Sequence, residues 1–307
     1  MFFNTFLIAL REIRRNLMRA FLTVLGIVIG VAAVITMVTL GRGATETVKA
    51  QVSNLGSNLL VLRPGMGFGR GGGPGVPQFS VEDSKIIGEQ VGGIRAVAPI
   101  DESSFSTQFL DKARSTRISG TFPDYFSIGK WKLAEGRLFD EKDVAEGRAV
   151  CVIGQTVKRE LFGNEDPIGQ RMRIKDASIQ VIGVLGVKGQ TGFGQDQDDT
   201  ILIPLTTFAR RIKGAASLKS IDQIMISAED GASADAIIKE VTTIMRERRN
   251  LRPNEDDNFN VMDTRQIAET LSSTTKVMTT LLGAVAGVSL LVGGIGIMNI
   301  MLVSVTE

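Results

Sequence analysis

Two stretches without a charge divide the chain. Ala20 to Leu40 and Val277 to Val305 hold no Asp, Glu, Lys or Arg, whereas charged residues recur throughout the sequence between them. The first, "AFLTVLGIVIGVAAVITMVTL", would span about 32 Å as a helix, close to the ~30 Å hydrocarbon core of a bilayer. It is too long for the apolar core of a cleaved signal peptide, and no A-x-A-like site follows promptly. It therefore predicts a retained transmembrane helix over 20–40. The second would be about 43 Å long as one helix, more than a bilayer needs. Its Thr-rich start ("SSTTKVMTT") predicts an exposed beginning, with a second transmembrane helix over 277–305.

Phe2, Phe3, Phe6, Leu10, Ile13 and Leu17 recur at helical spacing, opposite Asn4, Arg11, Arg15 and Arg19; only Ile8 breaks the pattern. Residues 1–19 thus predict an amphipathic helix on the inner membrane surface. Four arginines ahead of the first span place the N-terminus in the cytoplasm. Residues 41–276 then lie outside it, and the second helix returns inside.

The middle segment changes period several times. Strand patterns at 56–64 and 94–100 flank a helix over 80–90, with Ser80 and Asp83 in capping-box positions. The same order returns later as a strand at 221–230, a helix at 233–250 and a strand at 258–263. Two β-α-β units near the membrane helices predict one α/β subdomain in two parts, 41–100 and 213–276. Between them, 101–212 reads as an inserted strand-rich subdomain, with candidates "RSTRISGTF", "RAVCVIG", "QRMRIKD", "SIQVIGVLGV" and "TILIPL" and a short helix "TVKRELFG". The fold class is a membrane-attached α+β protein, with two transmembrane helices flanking a large extracytoplasmic α/β domain.

Composition narrows the chemistry. Setting aside Arg11, Arg14, Arg15, Arg19, Glu12 and Glu307, the 35 basic and 33 acidic residues leave 31 of each between Gly41 and Lys276. A neutral middle offers no phosphate-tracking surface, so nucleic acid is not an expected partner. The chain has no His and one Cys, which disfavours zinc sites, His-based catalysis and an internal disulfide. Cys151 lies in an apolar strand pattern and reads as inert core. Gly67, Gly69 and Gly72 satisfy G-x-G-x-x-G, but further glycines and prolines follow instead of a helix, so a loop is expected. No P-loop motif occurs.

Two further features stand out. Small residues crowd both apolar runs, at Gly26 and Gly30, at Gly283 and Gly287, and at Gly293 and Gly296. Small faces let helices approach closely in lipid. Asn299 is the one strongly polar side chain in the inner half of the second run, and an amide at that depth requires a partner. Asp196, Asp198 and Asp199 crowd "GQTGFGQDQDDT". This faintly resembles a calcium loop but lacks the required Gly and distant bidentate Glu; a polar loop whose carboxylates cap turns or meet a partner is the preferred reading.

With "ALREIRRNLMRAFLTVLGIVIGVAAVI", "LGSNLLVLRPG", "SGTFPDYFSI", "LFGNEDPIGQRMRI", "VIGVLGVKGQTGFGQDQDD" and "LLVGGIGIMNIMLVSVTE", the whole chain resembles the permease portion of MacB-type ABC exporters, within the wider FtsX-like permease family. The resemblance implies a homodimer in the bacterial inner (plasma) membrane, multi-pass, with a porter-like subdomain and an inserted distal part outside. It implies a cytoplasmic ABC ATPase that holds the ATP, so that this chain is not itself an enzyme and carries no cofactor. It further implies a periplasmic adaptor (membrane fusion) protein, an outer-membrane channel in a Gram-negative cell, and contact with membrane lipid. In the family a basic coupling segment follows the second helix; Thr306 and Glu307 would be its start, and two more helices would follow. The expectation is a permease truncated after its second helix, working with a separate ATPase to drive efflux of a drug, peptide or similar substrate. The alternative is an FtsX-like mechanical transmitter that activates an extracytoplasmic partner without transport.

Overall fold

The computed structural model describes residues 34–43, 58–65, 76–190, 194–214 and 220–306, with seven further helical positions between 21 and 46. The tail 1–19, Gly26, Gly30, Gly67, Gly69, Gly72 and Glu307 lie outside the described residues, as do the side chains of Gly293, Gly296, Asn299 and Thr306. Residues 49–268 form one compact unit, and residues 1–48 with 269–307 form another.

Within the first unit, β1 (Leu59–Pro64) reads LLVLRP, and its first four residues are all buried. A strand covered on both faces needs such an unbroken apolar run. Helix α1 (Val81–Gln90) begins at the predicted place. Ser80 Oγ accepts from the Asp83 N–H, and the Asp83 carboxylate accepts from the Ser80 N–H at 2.7 Å. The chain then enters β2 (Ile94–Phe109), a strand of 16 residues rather than the seven expected. The expectation stopped at Ile100 because Asp101 to Ser104 are polar. The strand continues because Phe105, Thr107 and Phe109 still alternate inward while Ser104, Ser106 and Gln108 face solvent.

Strand β9 (Gln223–Ala228), helix α6 (Ala234–Arg248) and strand β10 (Phe259–Asp263) supply the second β-α-β unit. Ile237, Val241 and Met245 lie four residues apart along α6 and are its buried face. The spatial order is β10-β1-β9-β2, with β1 antiparallel to β10 and β9, and β9 antiparallel to β2. Each β-α-β unit is thus split by a strand of the other, the ferredoxin-like arrangement. Leu60, Leu62, Ile87, Ile224, Ile226, Val241 and Met245 are among the side chains of its core.

Everything between β2 and β9 is inserted between the second and third strands of that sheet. It comprises β3 (Lys112–Thr121), helix α2 (Asp124–Ile128), β4 (Leu133–Gly136), helix α3 (Glu141–Glu146), β5 (Val150–Ile153), helix α4 (Gln155–Val157), β6 (Arg171–Ile174), β7 (Ala177–Leu185), β8 (Thr200–Pro204) and helix α5 (Leu205–Phe208). Helix α4 continues as a π-turn over Lys158–Phe162, and α5 over Ala209–Lys213. The strands close on themselves: β2 pairs β3, then β8, β5, β7, β6 and β2 again. A closed ring leaves no edge within it for a stray strand to pair with. Its interior holds Ile118, Cys151, Ile153, Met172, Ile179, Val181, Ile201 and Ile203. Cys151 is fully buried, its Sγ lies 3.7 Å from Met172 Sδ, and burial raises its thiol pKa far above the usual value. It is the inert core residue the pattern implied.

Charged groups mark the point where β2 passes from one core to the other. Asp101 is fully buried and paired with Lys213. Asp222 lies 3.8 Å from the same ammonium and accepts the Glu102 N–H at 2.8 Å.

In the second unit, Gly41 packs against helix α7 (Thr264–Thr306). A Cβ placed on Gly41 would lie 3.2 Å from Thr275 Cγ2. Most described apolar side chains here are bare, Leu40 at 69% and Leu291 at 67% exposure, while Val34, Val38 and Leu282 are half-buried. Among the described residues, no helix is long and apolar enough to cross a membrane.

Candidate functional site

The Asp-rich loop predicted from the sequence lies between β7 and β8, and its carboxylates point to three different elements. Asp198 is 5% exposed, and its carboxylate accepts the N–H groups of Lys188 (2.8 Å) and Gly189 (3.0 Å). Its own N–H donates to Asp196 Oδ1 at 2.9 Å. Asp196 Oδ2 accepts from the Thr156 hydroxyl at 2.7 Å, and the Thr156 N–H donates to the Asp198 carbonyl at 3.3 Å. Asp199 receives Arg114 in bidentate fashion, Nε to Oδ1 at 3.3 Å and Nη2 to Oδ2 at 2.8 Å. One run of four residues therefore fixes the 186–190 segment, the start of α4 and the start of β3.

The approach is close enough to demand glycine at one point. A Cβ on Gly154, just before α4, would lie 2.1 Å from the Asp198 carbonyl oxygen. The electrostatics follow from the contacts. Burial works to raise the Asp196 pKa, but the Thr156 hydroxyl, the Asp198 N–H and the guanidinium groups of Arg159 and Arg114 hold it below the ordinary value.

Lys188 adds a second anchor. Its Nζ donates to the Gly129 carbonyl at 2.6 Å and sits 3.7 Å from the centre of the Trp131 ring. Burial lowers its pKa to about 8, against the opposing pull of Asp198. Trp131, Gly129, Arg114 and Thr156 carried no signal in the sequence, because each is brought to the loop by strand order rather than by spacing. Among the described residues, no cluster of three or more His, Cys, Asp or Glu side chains could hold a metal ion. The calcium-like spacing is occupied by backbone N–H groups, a hydroxyl and an arginine. The arrangement can rigidify and can present a surface.

The helix-packing candidates divide differently. Among the described residues, a Cβ on Gly283 or Gly287 would meet nothing within 4 Å, whereas one on Gly41, not singled out from the pattern, would lie 3.2 Å from Thr275 Cγ2 of α7. Gly26, Gly30 and Glu307 lie outside the described residues, and the side chains of Gly293, Gly296, Asn299 and Thr306 do so as well.

A ferredoxin-like sheet interrupted by a closed six-stranded insertion, with α7 beginning directly after its last strand, defines a class of α/β core domain. The chain belongs to the MacB-like periplasmic core domain family, whose profile matches residues 20–244. It is 38% identical to the macrolide export ATP-binding/permease protein MacB of Syntrophobacter fumaroxidans, over 97% of this chain and 49% of that protein. The corresponding protein of Rhodospirillum rubrum is 41% identical over 97% of this chain and 44% of its own length. The chain thus spans about half the length of the curated relatives it matches. Its fold is similar to the periplasmic region of MacB from Actinobacillus actinomycetemcomitans, with a TM-score of 0.61 and 23% identity over 73% of this chain and 97% of that one. The extracellular domain of the noncanonic ABC-type transporter YknZ from Gram-positive bacteria aligns with a TM-score of 0.55 and 17% identity, over 67% of this chain and all of that one.

Proposed function

We propose that this chain is a permease component of a MacB-type exporter and relays ATP-driven motion from the cytoplasm to its folded domain. One observation carries the mechanism. Helix α7 starts at Thr264, the residue after the last one of β10, and runs unbroken for 43 residues, about 64 Å. No linker intervenes. The Thr264 hydroxyl donates to the Leu59 carbonyl at 2.8 Å, and the Arg265 N–H donates to Asp263 Oδ1 at 2.8 Å. A movement of the helix start is therefore a movement of β1 and β10.

In this reading, 20–40 and 277–305 cross the inner membrane, the N-terminus is cytoplasmic, and 41–276 is periplasmic or extracellular. The bare apolar side chains of both segments support it. So do the hydroxyls of Thr279 and Thr280, which donate to carbonyls four residues back at 2.8 and 2.9 Å and need no water. The separate apolar clusters support a porter-like subdomain (41–100 with 213–276) and an inserted one (101–212). Gly26, Gly30, Gly283, Gly287, Gly293 and Gly296 would then face helices of a homodimer partner or of the rest of the permease, with Asn299 hydrogen-bonded across one such contact. Thr306 and Glu307 would lead into the segment that meets the ABC ATPase. The insertion, stiffened by Asp196, Asp198 and Asp199, would work against a periplasmic adaptor feeding an outer-membrane channel. The relatives named for macrolide export suggest a drug or peptide cargo.

Gene deletion tests this reading. Export predicts at least about a tenfold rise in sensitivity to some exported compound, restored by the gene and not by an ATPase-dead system. A mechanical transmitter without transport predicts altered cell-wall cleavage and unchanged sensitivity. The relatives named for macrolide export, 38% and 41% identical, favour the first.

A further inference from the structure

Two hydroxyls inside the closed ring lack a partner. Among the described residues, the buried side-chain polar atoms without a hydrogen bond are Thr107 Oγ1 and Thr116 Oγ1. Thr107 is fully buried and Thr116 is 2% exposed. A buried hydroxyl left unpaired has given up its bonds to water for nothing, so folded proteins pair nearly all of them. One such group is a local misfit; two side by side make a site.

The register places them together. On the antiparallel pair β2 and β3, Phe105 stands opposite Thr116 and Thr107 opposite Arg114. Thr107 and Thr116 are therefore diagonal neighbours, on the face that carries Phe109 and Ile118 into the ring interior. Cβ atoms of a diagonal pair lie about 7 Å apart. The two hydroxyls do not bond each other, yet one small molecule between them reaches both. The phenylalanines flanking Thr107 along β2 are engaged elsewhere. Phe105 packs on Phe208 with ring centres 6.5 Å apart, and Phe109 on Phe162 at 4.2 Å.

The neighbouring charges decide what could sit there. Arg114, opposite Thr107, is held by Asp199, and both side chains are partly exposed. This ion pair stands at the end of the ring where the two threonines lie. Arg114 Nη1 is 4.0 Å from Glu160, beyond hydrogen-bond length. A cation would be repelled by the guanidinium, and an anion by Asp199 and Glu160. A neutral molecule that both donates and accepts matches two hydroxyls, which do the same. Water is the smallest such molecule, and a buried water takes roughly two to four polar partners.

We propose that a buried water bridges Thr107 Oγ1 and Thr116 Oγ1 beneath the Arg114–Asp199 pair. The ring interior is then hydrated at this end and closed by the Asp-rich loop, and the two strands are joined there through solvent as well as through their backbones.

The test unfolds the full chain in detergent with urea and follows Trp131, its single tryptophan, which lies in the insertion. Thr107→Val and Thr116→Val each remove one hydroxyl and keep the side-chain shape. Were the hydroxyls dry, each valine would delete an unpaired polar group and raise the midpoint. With water between them, each valine leaves the other hydroxyl and the water short of a partner. Both single variants should then have a lower midpoint and a folding constant reduced about tenfold. The double variant should lose less than the two losses combined, because it removes the whole bridge. Should a variant fail to fold, a crystal structure of the wild-type chain decides, with a solvent peak expected within about 3.2 Å of both hydroxyls. An unchanged or raised midpoint in either single variant, losses that simply add, or no such peak in a map that shows other buried waters would overturn the proposal.

Discussion

Asp198 shows how much one side chain can fix. Two backbone N–H groups converge on its carboxylate, and its own N–H and carbonyl engage Asp196 and Thr156. Hydrogen bonds to a buried charged acceptor are the ones that matter most when removed. Asp198→Ala should cost about 2–3 kcal/mol in urea unfolding, read as a lower midpoint at unchanged slope. A loss below about 0.5 kcal/mol, the range of ordinary surface substitutions, would show that the loop does not depend on it. Lys188 makes the complementary prediction in pH. Its ordinary pKa of 10.5 falls to about 8 in the fold, chiefly through burial. Between those values the unfolded chain binds more protons than the folded one, so this residue makes stability rise with pH, and the penalty is complete below about pH 8. Stability of the wild type relative to Lys188→Met should therefore climb from pH 8 to 10. A flat difference over that window would contradict the assignment.

At the scale of elements, the inserted ring is held by its interior. Ile203 is fully buried within it, and Ile203→Ala should cost about 2–5 kcal/mol of unfolding free energy by chemical denaturation. Leu133 on β4, 41% exposed, should cost far less on truncation. The same contrast explains what could be read from the sequence. Elements whose signal is local were legible: the Ser80–Asp83 capping box, the four-residue spacing of Ile237, Val241 and Met245, and the unbroken apolar run of β1. The short helices α2, α3 and α5 carry too few residues for a period to register. Strand β4 has no buried residue to mark it. The second half of β2 carries no apolar run, because a strand with one solvent face alternates polar and apolar residues. The Asp-rich segment was legible as a feature; its partners were not, since Arg114 and Thr156 lie 85 and 40 residues away from Asp199 and Asp196. Gly41 carries no local signal because its packing partners, Thr275 and Thr279, are more than two hundred residues distant.

Along the chain, the folded domain stands between two apolar segments, and α7 begins directly after its last strand. The two β-α-β units foresaw the split sheet, and the structure adds its ferredoxin-like order and the closure of the insertion. That order matters to the mechanism, because β1 is the strand that pairs β10, and Leu59 at its start holds Thr264. In the proposed mechanism, force passes through this junction. The most direct measurement inserts Gly-Gly-Ser between Asp263 and Thr264 in the gene's full product and follows both ATP hydrolysis by the assembled complex and export by cells. Hydrolysis should continue at near wild-type rate while export falls at least about tenfold, since a flexible linker of this composition transmits little force. Export that persists undiminished would contradict the account.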